Sequence, residues 1–110
     1  MTGPSPIWVR QAATFFLRFR GLLGHPPPAL GEGLWLSPCH QVHTFFMAYA
    51  IDVLHLDHEC KVLAMATLKP WRLGRSVCGA ASVLELRAGE ARRLGISIGD
   101  RLQLESLKSM

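Results

Sequence analysis

The chain has 110 residues, of which 49% are hydrophobic, and a formal net charge of +4. This length suits one domain, which we expect to span residues 1–110, and the apolar content supports a core that needs no disulfide or metal. The basic residues come in scattered pairs without interleaved aromatic residues, so the charge does not indicate a nucleic-acid partner.

The cysteines Cys39, Cys60 and Cys78 are widely spaced and odd in number. Reduced thiols of a cytosolic protein are the expected state, although one disulfide beside one remaining thiol stays open. The N-terminus lacks the basic start, long apolar run and small-residue cleavage site of a signal peptide. No stretch approaches the roughly 18 apolar residues of a membrane span. We therefore expect a soluble, cytoplasmic monomer.

The first third of the chain predicts one helix and one short strand. Residues 1–7 contain glycine and two prolines and are expected to form a flexible lead-in. Residues 11–23 suit a helix that Gly24 ends. The prolines at 26–28 exclude a helix or a central strand and predict a loop. Residues 34–36 then predict a short buried strand.

A hairpin is the clearest predicted element. Residues 51–56 and 61–66 are both apolar, and the polar residues 57–60 separate them. Apolar side chains occur on both faces of these strands, which is typical of strands covered on both sides, as in a small barrel. The loop 68–74 follows, in which Trp71 is expected to act as a lid on the core.

The last third of the chain alternates short elements with turns. Residues 76–80 are weakly strand-like, residues 82–86 predict a strand and residues 89–94 predict one to two helical turns. The Gly-Asp pair at 99–100 predicts a tight turn before a strand at 101–107. This succession resembles small closed barrels of the cradle-loop type. We predict a mainly β fold with short helices, of the α+β class, built as a small closed or partly open β-barrel.

Several short motifs stand in an order that resembles one family. The chain is similar, from about residue 13 to residue 104, to the bacterial and archaeal domain-of-unknown-function family number 192. The pieces that carry the resemblance are Arg-Gly-Leu-Leu-Gly at 20–24, Val-His-Thr at 42–44 with Met47, Ile-Asp-Val at 51–53, Val-Leu-Glu-Leu at 83–86 with Ala-Gly at 88–89, and Gly-Ile at 95–96 with Gly-Asp at 99–100. The resemblance implies a compact β-barrel-like domain without an established activity. The resemblance also implies that many members carry an export signal, which we do not expect in this chain.

The stretch 38–53 places polar side chains within an apolar run. His43, Thr44, Met47 and Asp52 are the candidate ligand-binding residues. The leading interpretation is a non-enzymatic binding or accessory domain with a groove beside them for a small molecule or a peptide, and the partner is an unidentified small molecule or protein. The structural alternative is that His43 and Thr44 hydrogen-bond the backbone while Asp52 caps a turn.

Two other functions stay open for the same stretch. Cys39, His43 and Met47 recur every four residues, and thiolate, imidazole and thioether suit copper or, less well, zinc. If the stretch is a strand, residues four apart lie about 13 Å from each other, too far to share one ion. Cys39 as nucleophile with His43 as base would give a hydrolase-like activity. No motif assigns a reaction or another cofactor, so a non-enzymatic role is favoured.

Other side chains have structural interpretations that the structure can test. Four aromatic residues are expected to fill the core rather than line a groove: Trp35, Phe45, Phe46 and Trp71. His55 and His58 flank the hairpin turn and are expected to be solvated. Glu85 is expected to pair with an arginine such as Arg101 or to face solvent at a sheet edge.

Overall fold

The computed structural model describes residues 6–12, 28–45 and 47–106. These residues form six strands and one short helix, which are β1 Ile7–Ala12, β2 Glu32–Leu36, β3 Ile51–Leu56, β4 Val62–Leu68, β5 Ser82–Arg87, α1 Glu90–Arg93 and β6 Leu104–Ser106. Branched and other large apolar residues fill the central strands, as the pleated and doubly covered surface of a sheet favours. The described part of the chain contains no helix with the length and hydrophobicity needed to span a membrane.

All six strands belong to one mixed sheet, in the order β4-β3-β5-β2-β1-β6. β1 runs parallel to β2 and to β6, whereas the other neighbouring pairs are antiparallel. The sheet does not close into a barrel, but its two ends approach each other where Lys61 forms a bridge with Arg101. There the Val62 N–H donates to the Asp100 carbonyl over 2.8 Å. The structure confirms the predicted mainly β fold of the α+β class. Of the two predicted barrel forms, closed and partly open, it corresponds to the partly open one.

Apolar clusters cover both faces of the sheet. All six residues of β3 are buried, because this strand lies between β4 and β5 and its side chains alternate between the faces. The helix-side cluster contains Ile7, Val9, Leu54, Leu56, Val62, Leu84, Leu86, Ala91, Ile96 and Leu102. The loop-side cluster contains Leu34, Leu36, Val42, Met47, Ile51, Val53 and Val83. Burial on both faces of β3 confirms the prediction for this strand. In β4, which lies at the edge of the sheet, only Val62 and Ala64 are buried.

β3 and β4 form the predicted hairpin, with a shift of register between His55 and Leu56. At its turn, Oδ1 of Asp57 accepts the backbone N–H of Lys61 over 2.9 Å and that of Glu59 over 2.8 Å. These bonds lower the pKa of Asp57 because they stabilise its charged form. One carboxylate, that of Asp57, therefore binds two backbone N–H groups of the hairpin turn.

Two N-terminal predictions are wrong at their boundaries. Ile7, expected in the flexible lead-in, is fully buried and begins β1, where its N–H donates to the Gln103 carbonyl over 2.9 Å. Gln11, expected to begin a helix, lies in β1 opposite Trp35. Pairing with β2 and β6 outweighs the local helical preference. The rest of that predicted helix, residues 13–23, lies outside the described residues.

The C-terminal elements agree with prediction but have narrower bounds. The helical turns shorten to α1, and the last strand begins only at Leu104. The Gly-Asp turn is present, since the Ser97 N–H donates to Oδ2 of Asp100 over 2.8 Å. Residues 76–80, expected to be weakly strand-like, form no strand. They contain a turn in which the Ala80 N–H donates to the Val77 carbonyl over 3.1 Å.

Candidate ligand-binding site

Thr44 is fully buried and joins two loops. Its hydroxyl donates to the Lys69 carbonyl over 2.6 Å and accepts the Arg72 N–H over 2.8 Å. Its backbone N–H donates to the Arg72 carbonyl over 2.8 Å, and its carbonyl accepts the Trp71 N–H over 2.9 Å. The hydroxyl that was predicted to meet a ligand thus holds the loop after β4 in place.

The pairing of the two loops continues on one side of Thr44. His43 forms an isolated antiparallel bridge with Leu73, and the Gly74 N–H donates to the Val42 carbonyl over 2.9 Å. A side chain at position 74 would crowd this bond, because a Cβ there would lie 3.0 Å from the Val42 carbonyl oxygen. The two loops therefore form a short ladder.

Side chains on this ladder form a surface that we call the aromatic platform, made of His43, Phe45, Trp71 and Leu73. The His43 and Phe45 rings stack with centroids 4.7 Å apart, and the Phe45 and Trp71 centroids lie 6.3 Å apart. Leu73 is 63% exposed, Trp71 56% and Phe45 36%. The platform thus presents to solvent large apolar side chains of the kind that a small domain usually buries.

Trp71 also has an unusual backbone, with a φ of +62°. A positive φ is strained for a bulky residue, and here the N–H bond to the Thr44 carbonyl helps to hold it. The predictions that Trp71 covers the core and that Phe45 fills it are wrong, because both rings reach solvent. Trp35 does pack, half-buried, against the helix-side cluster. Phe46 lies outside the described residues.

Asp52 is buried, and its carboxylate contacts the start of α1. Oδ2 accepts the backbone N–H groups of Ala91 over 3.0 Å and Gly89 over 3.1 Å, and Oδ1 accepts the Thr67 hydroxyl over 2.7 Å. These contacts match the structural alternative, in which Asp52 caps a turn. The structure does not bring this carboxylate to the aromatic platform.

The contacts divide the three predicted metal ligands between core and surface. Met47 is buried in the loop-side cluster, and the half-buried Cys39 packs against that cluster while its thiol donates to the Gln41 carbonyl over 3.2 Å. His43 lies in the platform, where its Nδ1 accepts the Phe45 N–H over 3.2 Å. Within the described ranges, no three His, Cys, Asp or Glu side chains are grouped so that they could hold a metal ion.

A groove lies along β4, and we call it the His55 groove. Its lining residues are Val53, His55, Ala64, Met65, Ala66, Leu68, Gly74 and Arg75. His55 and Arg75 bring the polar side chains, and the others are apolar. Gly74 belongs to the ladder that carries the platform, so the groove and the platform share the loop after β4.

His55 is 4% exposed, and its Nε2 has no hydrogen-bond partner. Burial is the largest influence on its pKa and lowers it. Backbone hydrogen bonding with His40, the next largest, and with Arg75 raises the pKa, while the positive charges of Arg75 and His40 lower it further, and the net direction is downward. The prediction that His55 is solvated is wrong, because the ring lies on a strand whose every residue is buried. His58, in contrast, is exposed as predicted.

Two buried carboxyl groups lie outside the predicted site. Glu85 is fully buried in β5, an interior strand, so the expectation of a solvent-facing edge is wrong. Arg101, its expected partner, forms an ion pair with Glu59 over 2.7 Å at the surface. Glu90 of α1 is buried and bonds to Arg93 over 2.7 Å, and this contact lowers the pKa of Glu90.

Residues 1–104 of the chain match a family model described as "DUF192: Uncharacterized ACR, COG1430". The chain belongs to this family. The resemblance predicted from the ordered motifs of the sequence is thereby confirmed. DUF192 is a family of unknown function, so membership assigns neither an activity nor a ligand.

Relatives described as UPF0127 proteins extend the match at the level of sequence. A UPF0127 protein of Thermococcus sibiricus is 33% identical over 102 residues, which is 88% of this chain and 66% of that protein. The UPF0127 protein PF1050 of Pyrococcus furiosus is also 33% identical over 102 residues, which is 88% of this chain and 86% of that protein. The chain thus spans just under two thirds of the length of the Thermococcus relative.

A solved structure shares the fold. A protein of Sinorhizobium meliloti 1021, provisionally described as a transcription regulator, superposes with a TM-score of 0.71 at 24% identity. The superposition covers 84% of this chain and 78% of that one. At this identity the likeness shows the fold alone, because one fold hosts many functions.

Proposed function

We propose that this DUF192 domain is a non-enzymatic binding domain whose aromatic platform takes a small molecule or an extended peptide with an apolar or aromatic group. The observation that carries the proposal is one contiguous exposed surface, His43, Phe45, Trp71 and Leu73, held from beneath by the buried Thr44. Contiguous apolar surface marks interaction sites, whereas single exposed apolar residues are ordinary.

The platform is fixed before a ligand arrives. Association usually costs about 0.5–1.5 kcal/mol for each side chain that it immobilises, and a preformed surface avoids part of this cost. The hydrogen bonds of Thr44 hold the backbone that carries Trp71. The positive φ of Trp71 costs about 1–3 kcal/mol, and strain of this kind is often retained at functional sites.

Charge next to the platform narrows the ligand class. Lys69 and Arg72 flank Trp71 in sequence and are exposed. Arg72 Nη1 lies 3.4 Å from the backbone carbonyl of Trp71, which holds the guanidinium beside the loop that carries the platform. A positive rim beside an apolar surface favours a ligand in which a negative charge adjoins an apolar group.

The proposal includes no catalytic step. The hydroxyl of Thr44 and the carboxylate of Asp52, two of the polar groups that the sequence placed at the site, are committed to bonds that hold loops and α1. Binding through ring faces and methyl groups needs neither of them.

NMR of the 15N-labelled protein with a panel of acetylated tetrapeptides tests the proposal. The panel contains Leu, Phe or Trp, each with and without an adjacent Glu, beside a Gly-Ser peptide as blank. We expect the apolar peptides to shift the platform amides and the Trp71 indole signal, and the Glu-containing ones to bind more tightly. The Gly-Ser peptide should shift none of these signals.

Two variants and one matched control complete the test. Trp71→Ala and Leu73→Ala should each weaken peptide binding by about tenfold or more, the range of a central apolar contact. Trp8→Ala removes an indole that is also exposed, at 48%, but lies on β1 outside the platform. The proposal fails if no peptide shifts the platform signals, or if Trp8→Ala weakens binding as much as Trp71→Ala does.

A further inference from the structure

The His55 groove has a polar end that its apolar walls leave without a partner. Nε2 of His55 is buried and has no hydrogen-bond partner, while most of the remaining lining is apolar, namely Val53, Ala64, Met65, Ala66 and Leu68. A buried nitrogen of this kind has lost its hydrogen bond to water on folding. A ligand that supplies the missing partner would restore that bond.

The two groups whose charges act on the pKa of His55 are basic, although the buried Glu85 lies on the same face of the sheet. These two groups are Arg75 and His40. Glu85 is paired in register with Val53 rather than with His55. A guanidinium and an imidazole N–H together match a planar anion with two acceptor oxygens.

We propose that the His55 groove binds a carboxylate that carries a short apolar group. One carboxylate oxygen accepts a hydrogen bond from Nε2–H of His55 and the other faces the guanidinium of Arg75, which is exposed at the rim. The apolar group lies against the small side chains of Ala64 and Ala66. This site does not depend on the aromatic platform being a binding surface.

Two kinds of molecule carry this chemistry, namely a free short-chain carboxylic acid and the C-terminus of a peptide that ends in a small apolar residue. Butyrate tests the first and acetyl-Ala-Val with a free carboxyl end tests the second. Butyramide and the amidated dipeptide are the uncharged controls. A response to only one of the two carboxylates identifies the source, and a response to both supports the shared chemistry.

Long-range 1H–15N spectra of the imidazole rings give the readout at His55. We expect either carboxylate to shift the Nε2 signal saturably and to raise the pKa of His55, because a bound anion stabilises the imidazolium form. The amides should do neither. The absence of any His55 shift with both carboxylates at up to about 10 mM overturns the proposal, as does equal binding of the amides.

Variants separate the groove from the platform. Arg75 is exposed, so Arg75→Gln should leave the fold intact. This variant should weaken carboxylate binding by about tenfold or more, since it removes a charge-assisted bond. Arg92→Gln changes an exposed arginine of α1 and should leave the affinity unchanged. Trp71→Ala should also leave it unchanged. Wild-type affinity in Arg75→Gln, or an equal loss in Trp71→Ala, contradicts the assignment.

Discussion

Thr44 and Arg72 exchange two hydrogen bonds of 2.8 Å each. In one, the backbone N–H of Thr44 donates to the Arg72 carbonyl, and in the other the backbone N–H of Arg72 donates to the Thr44 hydroxyl. The pair spans 28 residues of sequence and fixes the loop that carries Trp71. A buried hydroxyl therefore helps to set the geometry of an exposed indole.

Replacing Thr44 with valine keeps the shape of the side chain and removes the hydroxyl. The Lys69 carbonyl and the Arg72 N–H then lose a partner, and we expect the free energy of unfolding to fall by about 1–3 kcal/mol. Urea denaturation followed by circular dichroism measures the change. Thr44→Ser keeps the hydroxyl and should lose only about 1 kcal/mol for its missing methyl group. A valine variant as stable as the wild type would show that the hydroxyl contributes nothing.

Asp52→Asn tests the contact between β3 and α1. The amide can keep an oxygen toward the Gly89 and Ala91 N–H groups but has lost the negative charge that strengthens both bonds, so the free energy of unfolding should fall by about 1–3 kcal/mol. Hydrogen exchange at the Gly89 and Ala91 amides should become faster. Thr67→Val removes a different bond of the same carboxylate and should leave exchange at those two amides nearly unchanged. Unaltered exchange in Asp52→Asn would contradict the capping role.

His55 should make the stability of the fold depend on pH. Because burial lowers its pKa in the folded state below the ordinary 6.5, the unfolded chain binds the proton more readily. The stability contributed by the neutral ring is complete above about pH 6.5 and is lost as the pH falls toward the folded-state pKa. Denaturation at about pH 7.5 and about pH 5.5 measures the difference.

The matched variants for this pH effect are His55→Gln and His58→Gln. The first removes the buried ring and should flatten the loss of stability over this interval, whereas the second removes an exposed ring and should keep it. A wild-type protein whose free energy of unfolding is the same at both pH values would contradict the burial of a neutral imidazole.

The sequence predicted the parts of the fold whose signals are local. The hairpin of β3 and β4 follows from two apolar runs on either side of a polar turn. β1 was missed because its state depends on parallel pairing with distant residues, with Trp8 opposite Glu32 and Ile7 opposite Leu104. The apolar run that follows it is locally typical of a helix, and only the rest of the sheet decides where the strand ends.

The candidate site was also predictable only in part, because some of its residues have a local signal in the sequence and others are brought there by long-range pairing. His43 and Thr44 stand out as polar residues in an apolar stretch, but nothing local links them to Trp71, which reaches them through long-range pairing. Strand alternation alone could have separated Asp52 from the loop-side face, since its neighbours Ile51 and Val53 lie there. The burial of His55 depends on the loops around it, and no pattern in the sequence predicts where these loops lie.

Intermolecular nuclear Overhauser contacts between the unaltered protein and its tightest-binding tetrapeptide test the aromatic platform most directly. We expect contacts from the apolar side chain of the peptide to the rings of Trp71 and Phe45 and to the methyl groups of Leu73, with none to Trp8. Contacts confined to Trp8 or to other surfaces, with none to the platform, would contradict the proposed binding function.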